Sequence, residues 1–182
     1  MRFALAIACA ALIPAACGSP ETDVDADGDG TITMEEAAAK SREMVKPEPG
    51  QYRASVEMVD LQMPNAPEEV REMMRQAMSA GKQTSEFCLT KEDAEKGFAE
   101  AIRESQAQDD CTFERFDAED GSIDALMVCE APGRGTVRME ITGKGTPTSS
   151  QTRMVMNGEG PGGEPMTLTM TSEQERIGDC PT

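Results

Sequence analysis

The sequence predicts an α+β protein, in which an antiparallel β meander or small half-barrel with two helices is preceded by a half EF-hand segment. Three observations predict this fold class. An acidic loop occupies residues 25–36, and two segments with helical periodicity follow within residues 65–105. From residue 111 onward, apolar and polar residues alternate at period two, as they do in strands with one buried face.

The acidic loop, DADGDGTITMEE, has the ligand spacing of an EF-hand calcium loop. Calcium takes roughly six to eight oxygen ligands, and such a loop places glycine between them for a sharp turn. Gly30 occupies the turn position. The ligand positions are occupied by Asp25, Asp27, Asp29, Thr31, Thr33 and Glu36. The alternative is an acidic linker rich in Asp and Gly, but the spacing, the glycine and the terminal glutamate together favour a calcium site.

Each ligand position implies a way of binding. Thr31 would contribute its backbone carbonyl, Thr33 would bind directly or through water, and Glu36 would bind with both carboxylate oxygens. Ile32 stands where a β-branched residue normally makes a short strand contact with a partner loop. The preceding CGSPETDV is too short for an entering helix, whereas the following TMEEAAAKSREMV is rich in helix formers. Such a lone loop should bind calcium in the range of roughly 0.1–1 mM.

We expect calcium to neutralise the loop carboxylates and to order the helix that follows. Without the ion, the repelling carboxylates would leave this segment as a flexible tether.

The N-terminus, MRFALAIACAALIPAAC, resembles an export signal that ends in a lipobox. One positive charge at Arg2 precedes an uncharged apolar run that is too short to span a membrane. Cys17 would be the lipidated residue, although Pro14 stands where leucine is usual. The alternative is ordinary cleavage near Ala16, which would release a soluble periplasmic protein. We therefore expect a protein of the periplasm or outer membrane, anchored by lipid at Cys17.

The expected domain organisation has three parts. Residues 1–17 form the signal peptide, residues 18–48 form the calcium loop with its helix and linker, and residues 49–182 form a disulfide-linked β-rich domain.

Composition excludes several classes of function. The chain carries a formal net charge of −17, so nucleic acid and anionic lipid surfaces are poor partners. It contains no histidine, so a Ser-His-Asp or Cys-His mechanism and a histidine-ligated metal site cannot be built. Paired carboxylates, as used by glycosidases, carry little weight among 34 acidic residues. We expect no catalytic activity.

Four cysteines beyond the N-terminal segment predict two disulfides, for which three connectivities exist. Cys111 and Cys129 lie almost equidistant from Asp120-Gly121, a hairpin turn signal, so they should face each other across neighbouring strands. Cys88 and Cys180 then pair by elimination. A cysteine metal site is the alternative, but the spacings contain no CxxC.

Periodicity within the β-rich domain predicts its elements. A strand, QYRASVEMVDLQM, precedes a helix in NAPEEVREMMRQAMSAG, a short strand in TSEFCLT and a second helix in TKEDAEKGFAEAIRES, which should bury Phe98. The remaining strands are CTFERF, SIDALMVCE, TVRMEIT, SQTRMVMNG and PMTLTMTSEQERI. In the last strand, Met166, Leu168 and Met170 should share the buried face, and Thr169 should lie on the wetter one.

These motifs resemble a bacterial family, the domain of unknown function 3617. The resemblance rests on PGQYRASVEM followed by MP, then on FCLTKEDA, DCTFERF, MVCE, the Gly-rich meander and the closing ERIGDC. It covers residues 49–181, leaves the calcium loop outside, and departs from the family at Tyr52, where tryptophan is usual. It implies an exported or lipid-anchored β-rich domain with the same order of four cysteines, and it implies no activity.

The composition leaves two other functions open. A half-barrel lined by methionine could carry a small apolar ligand or lipid, because methionine adapts to loosely defined shapes. Fourteen methionines also suggest Cu(I) binding, for instance at Met154 and Met156 or at Met166 and Met170. The preferred interpretation is that methionine fills a core that is short of aromatic residues.

Overall fold

The computed structural model describes residues 24–78, 81–106, 110–131, 135–160 and 163–181. In chain order the elements are α1 (Met34–Lys40), a 3₁₀ turn (Ser41–Glu43), β1 (Gly50–Gln62), α2 (Glu68–Met78), β2 (Gln83–Leu89), α3 (Lys91–Gln106), β3 (Asp110–Glu119), β4 (Ser122–Ala131), β5 (Gly135–Gly145), β6 (Ser149–Glu159) and β7 (Pro165–Gly178). Among these described residues, none of the helices has the length and apolar character needed to cross a membrane.

The strands form one open antiparallel sheet in the order β2-β1-β7-β6-β5-β4-β3. Strands β3 to β7 make the predicted meander, each paired with its neighbour along the chain. The first strand of the sheet pairs with the last, so β1 lies between β7 and β2. The predicted antiparallel β-rich fold with helices is therefore confirmed, and the sheet is open at β2 and β3.

The hydrophobic core lies at the β3–β4 end of the sheet, where α1 packs against it. Met34, the first residue of α1, is only 1% exposed, and its neighbours in the core come from both strands. The buried residues of this cluster are Met34, Ala37, Phe113, Phe116, Ala118 and Ala125. The helix that follows the acidic loop is thus a structural part of the β domain.

Helix α3 departs from a regular helix at Gly97. This residue has φ 58° and ψ −152°, a conformation that is essentially restricted to glycine. The change of direction alters which side chains point inward. Ala94 and Ala99 are buried, whereas Phe98 is 46% exposed. The prediction that Phe98 is buried was therefore wrong, because it assumed an uninterrupted helical period.

Two disulfides cross-link the sheet in the predicted connectivity. Cys111 and Cys129 are register partners in the β3–β4 hairpin, with Cα atoms 4.0 Å apart. Cys88 in β2 is bonded to Cys180, which follows β7, with Cα atoms 5.4 Å apart. Because β1 lies between β2 and β7, this second bond ties the end of the chain, just beyond β7, to a strand that is not its neighbour in the sheet. Disulfides persist in oxidising compartments, so the pair indicates an extracytoplasmic protein.

Tyr52 fastens the linker before β1 to the turn between β5 and β6. Its side chain is 3% exposed and its ring stacks on Phe87, with centroids 5.8 Å apart. The hydroxyl lies 2.8 Å from the Glu48 carbonyl and 3.1 Å from the Pro147 carbonyl, so it can donate to either. Burial raises the pKa of the Tyr52 phenol. Tyr52 is therefore a buried residue that holds the linker and the turn together.

A band of methionine and leucine crosses the same face of the sheet that carries the core. The register aligns Met127, Met139, Met156 and Leu168 across β4 to β7, and it aligns Met154, Met170 and Met58 across β6, β7 and β1. These side chains are half-buried.

On the opposite face Thr169 is buried, contrary to expectation, because it lies between Val155 and Asp60 in the middle of the sheet.

Candidate metal centre in the N-terminal loop

The three aspartates of the acidic loop converge. Oxygens of Asp25, Asp27 and Asp29 lie within 4.8 Å of one another. Three ionised carboxylates at this separation repel each other, so the arrangement must be offset by hydrogen-bond donors or by a cation. The alternate spacing of the aspartates predicted this convergence, since their side chains enter the loop at every second residue.

Backbone N–H groups surround the aspartates. Asp25 accepts hydrogen bonds from the N–H groups of Gly28 and Gly30, both at 2.8 Å, and from that of Asp29 at 3.1 Å. The bond from Gly30 is the largest cause that holds the pKa of Asp25 below its usual value. Gly30 has φ 85°, which favours glycine at the turn position. Asp25 is consequently ionised at neutral pH and faces into the loop.

Glu36 closes the loop from its other end. Its Oε1 accepts a hydrogen bond from the Ala26 N–H at 3.0 Å, and its Oε2 accepts from the Thr33 N–H and hydroxyl, both at 2.8 Å. The Thr33 hydroxyl in turn accepts from the Glu36 N–H at 3.2 Å, which completes a capping box at the start of α1. These bonds, led by that from the Thr33 N–H, lower the pKa of Glu36.

The structure thus brings the predicted ligand residues together unequally. The three aspartates form the close cluster, and Thr31 is tied to it because its N–H donates to Asp29 at 2.8 Å. Glu36 lies outside the close cluster and is held against Ala26, the residue after Asp25. Asp25 also acts on Glu36 through charge, raising the pKa of that carboxyl in opposition to its hydrogen bonds.

The loop is anchored to the sheet at both ends. Ile32 and Phe113 exchange two backbone hydrogen bonds, from the Ile32 N–H at 2.9 Å and from the Phe113 N–H at 2.7 Å. Val24 and Ile32 also pack against the hydrophobic core. The strand contact that was expected with a partner loop is therefore made with β3, an edge strand of the sheet. Sequence reasoning missed this partner, because nothing in the loop indicates which strand it meets.

The donors of this loop are oxygens, and several are charged. Oxygen-only donor sets suit hard cations such as Ca²⁺ and Mg²⁺, which bind carboxylates, carbonyls and water. The residues present therefore fit a calcium ion by the chemistry of their donor atoms.

Cys17, the expected site of lipidation, lies outside the described residues.

Comparison with known proteins identifies a family for most of the chain. A family model described as "Protein of unknown function (DUF3617)" matches residues 47–180. The match covers the sheet with α2 and α3, and the acidic loop with α1 lies before it. No curated protein matches the chain, and no solved structure matches it. The resemblance seen in the sequence motifs is therefore confirmed.

Proposed function

The chain belongs to the DUF3617 family, whose description assigns no activity, and from this premise we propose that it is a non-catalytic, calcium-binding protein. In this proposal the acidic loop is the binding site, and calcium fastens the N-terminal segment to the β domain. The observation that carries the proposal is the convergence of Asp25, Asp27 and Asp29 at the spacing of an EF-hand loop.

Electrostatics supports a cation at this position. The pKa of Asp25 is lowered, so this carboxylate is charged at neutral pH, and the chain as a whole carries a net charge of −17. A bound calcium ion would supply positive charge among these carboxylates. Glu36 is held beside Ala26 by a single hydrogen bond and could exchange that donor for the ion.

The mechanical role follows from what lies on either side of the loop. Val24 precedes the ligands and Ile32 lies among them, and both contact the core. Met34 and Ala37 of α1 are buried immediately afterwards. A loop with its ends held in this way loses less conformational freedom when it binds an ion, which favours binding. We propose that the ion acts as a structural clip, meaning that it holds the N-terminal segment against the β domain. A weak affinity suits this role and is expected of extracellular calcium modules.

The proposed location combines the disulfides with the N-terminal sequence. The two disulfides indicate an oxidising compartment outside the cytoplasm. We propose that lipid at Cys17 anchors the protein to a membrane of the periplasm. The acidic loop would then lie directly after the anchor, and the clip would set the orientation of the β domain relative to the membrane.

The test is a calcium titration by calorimetry on the protein without residues 1–17. One calcium ion should bind with a Kd of roughly 0.1–1 mM. Glu36→Gln should weaken binding by about tenfold or more, because it removes a charged ligand and still permits the capping box. Glu35→Gln is the matched control, since Glu35 lies in the same helical turn and makes none of the loop contacts described above. Absence of binding, or equal binding by Glu36→Gln and the unchanged protein, would refute the proposal.

A further inference from the structure

Four methionines form a compact group on one face of the sheet. Met154 and Met156 alternate along β6, so their side chains share that face. Met139 of β5 is the register partner of Met156, and Met170 of β7 is the register partner of Met154. We propose that these four thioethers form a binding site for a soft monovalent metal ion, Cu(I).

The spacing of the group suits convergence on one ion. Direct cross-strand partners have Cβ atoms about 5 Å apart, and diagonal neighbours are about 7–8 Å apart. Met139, Met154 and Met156 therefore form one triangle, and Met170 completes a second triangle with the same two residues of β6. Methionine has three rotatable side-chain bonds, so sulfurs at these separations can turn toward a common point.

Packing alone does not account for these residues. Met34 and Met63 are buried, at 1% and 5% exposure, and serve as core methionines. The four methionines of the proposed site are only half-buried, so this face of the sheet is not closed over them as the core is over Met34. This observation reverses the preference drawn from composition, which assumed that the inward-facing methionines are core residues.

Thioethers are the soft donors that remain in the described chain. Histidine is absent from the sequence, and the four described cysteines are consumed in disulfides. Soft sulfur ligands select Cu(I) over hard cations, whereas the oxygen donors of the N-terminal loop do the reverse. The two proposed sites therefore differ in donor chemistry, and neither proposal depends on the other.

The test uses the full chain with Cys9→Ala and Cys17→Ala, so that no free thiol competes for the metal. Cu(I), kept reduced by ascorbate, is titrated in competition with a chromophoric Cu(I) chelator, and Ag(I) serves as a probe that cannot be oxidised by air. One ion per chain should bind. The double variant Met154→Leu/Met156→Leu should weaken binding by about tenfold or more, because leucine keeps the apolar volume and removes the sulfur.

Met73→Leu is the matched control, because Met73 is exposed on α2 and makes no part of the group. It should leave Cu(I) binding unchanged, and the denaturation midpoint of the double variant should show that the fold is retained. Failure of the chain to compete with the chelator would overturn the proposal. So would binding that survives in the double variant. An apolar ligand on this face would behave differently, since leucine would retain it.

Discussion

Ile32 and Phe113 pair as two residues of antiparallel strands, although one belongs to the acidic loop and the other to the edge strand β3. The pairing covers part of an edge that would otherwise expose unpaired backbone groups. It also links the proposed calcium ligands to the core, because Phe113 contacts Phe116 edge-to-face with ring centroids 5.1 Å apart. Calcium binding in the loop should therefore change the stability of the sheet.

Calcium should raise the stability of the whole domain. An ion that binds only the folded state at a Kd of roughly 0.1–1 mM stabilises it by about 1.4–2.7 kcal/mol when present at about 10 mM. We expect this gain in urea denaturation followed by far-UV circular dichroism. Glu36→Gln should reduce the gain to about 0.4–1.4 kcal/mol or less, and Glu35→Gln should retain the full gain. A gain of equal size in both variants would point to non-specific binding.

Met34→Ala should destabilise the protein strongly. Met34 of α1 is buried against β3, and truncating a buried methionine costs about 2–5 kcal/mol in the free energy of unfolding. Met73→Ala is the control, because Met73 is 61% exposed and its truncation should change stability by no more than about 0.5 kcal/mol. Urea denaturation measures both values. Similar values for the two variants would mean that α1 is not packed on the sheet in solution.

Removing the bond between Cys88 and Cys180 should cost more stability than removing the hairpin bond. The first closes a separation of 92 residues and the second a separation of 18. In the chain-entropy model these correspond to about 4–5 and about 3 kcal/mol. The comparison is between the double variants Cys88→Ser/Cys180→Ser and Cys111→Ser/Cys129→Ser in denaturant. A larger loss in the hairpin variant would show that local packing around that bond, and not the entropy of loop closure, determines the difference.

The phenol of Tyr52 should ionise only at unusually high pH. Burial raises its pKa above the usual value of about 10, so folding favours the protonated form. The contribution of the phenol to the free energy of unfolding is fully present below about pH 10. It is lost as the pH rises through the raised pKa. Tyr52 is the single tyrosine and tryptophan is absent, so phenolate absorbance reports this residue alone. Titration at the usual pKa in the folded protein would contradict the buried position.

Lipidation at Cys17 can be tested by fractionation of cells that express the full chain. Cys17→Ser should move the protein from the membrane fraction to the soluble fraction, because the thiol that carries the lipid is lost. Cys9→Ser is the control, since Cys9 lies within the apolar run of the predicted signal and should leave the protein in the membrane fraction. A soluble protein without any substitution would favour ordinary signal cleavage.

Sequence patterns predicted where the strands and helices occur along the chain, but they did not predict where α1 packs. Strands β3 to β7 follow from period-two alternation and glycine turns, both of which are local properties. The position of α1 depends on contacts between Met34 and distant residues of β3, and its own sequence does not specify that partner. Likewise, the spacing of the loop predicted Asp25 as a calcium ligand, while the hydrogen bonds of Asp25 and the pairing of Ile32 with Phe113 depend on the folded chain.

The position of β1 between β7 and β2 determines when the sheet can form. Gln51 near the start of β1 pairs with Gly178 at the end of β7, so the contact spans nearly the whole domain. Contacts between such distant segments slow folding, because the chain must close a long loop before it gains them. Before β7 is available, β1 can pair only with β2, so one side of the first strand stays unpaired until the last strand is in place. Completion of the sheet therefore waits for its last strand, although the hairpins of β3 to β6 join neighbours along the chain and can form earlier.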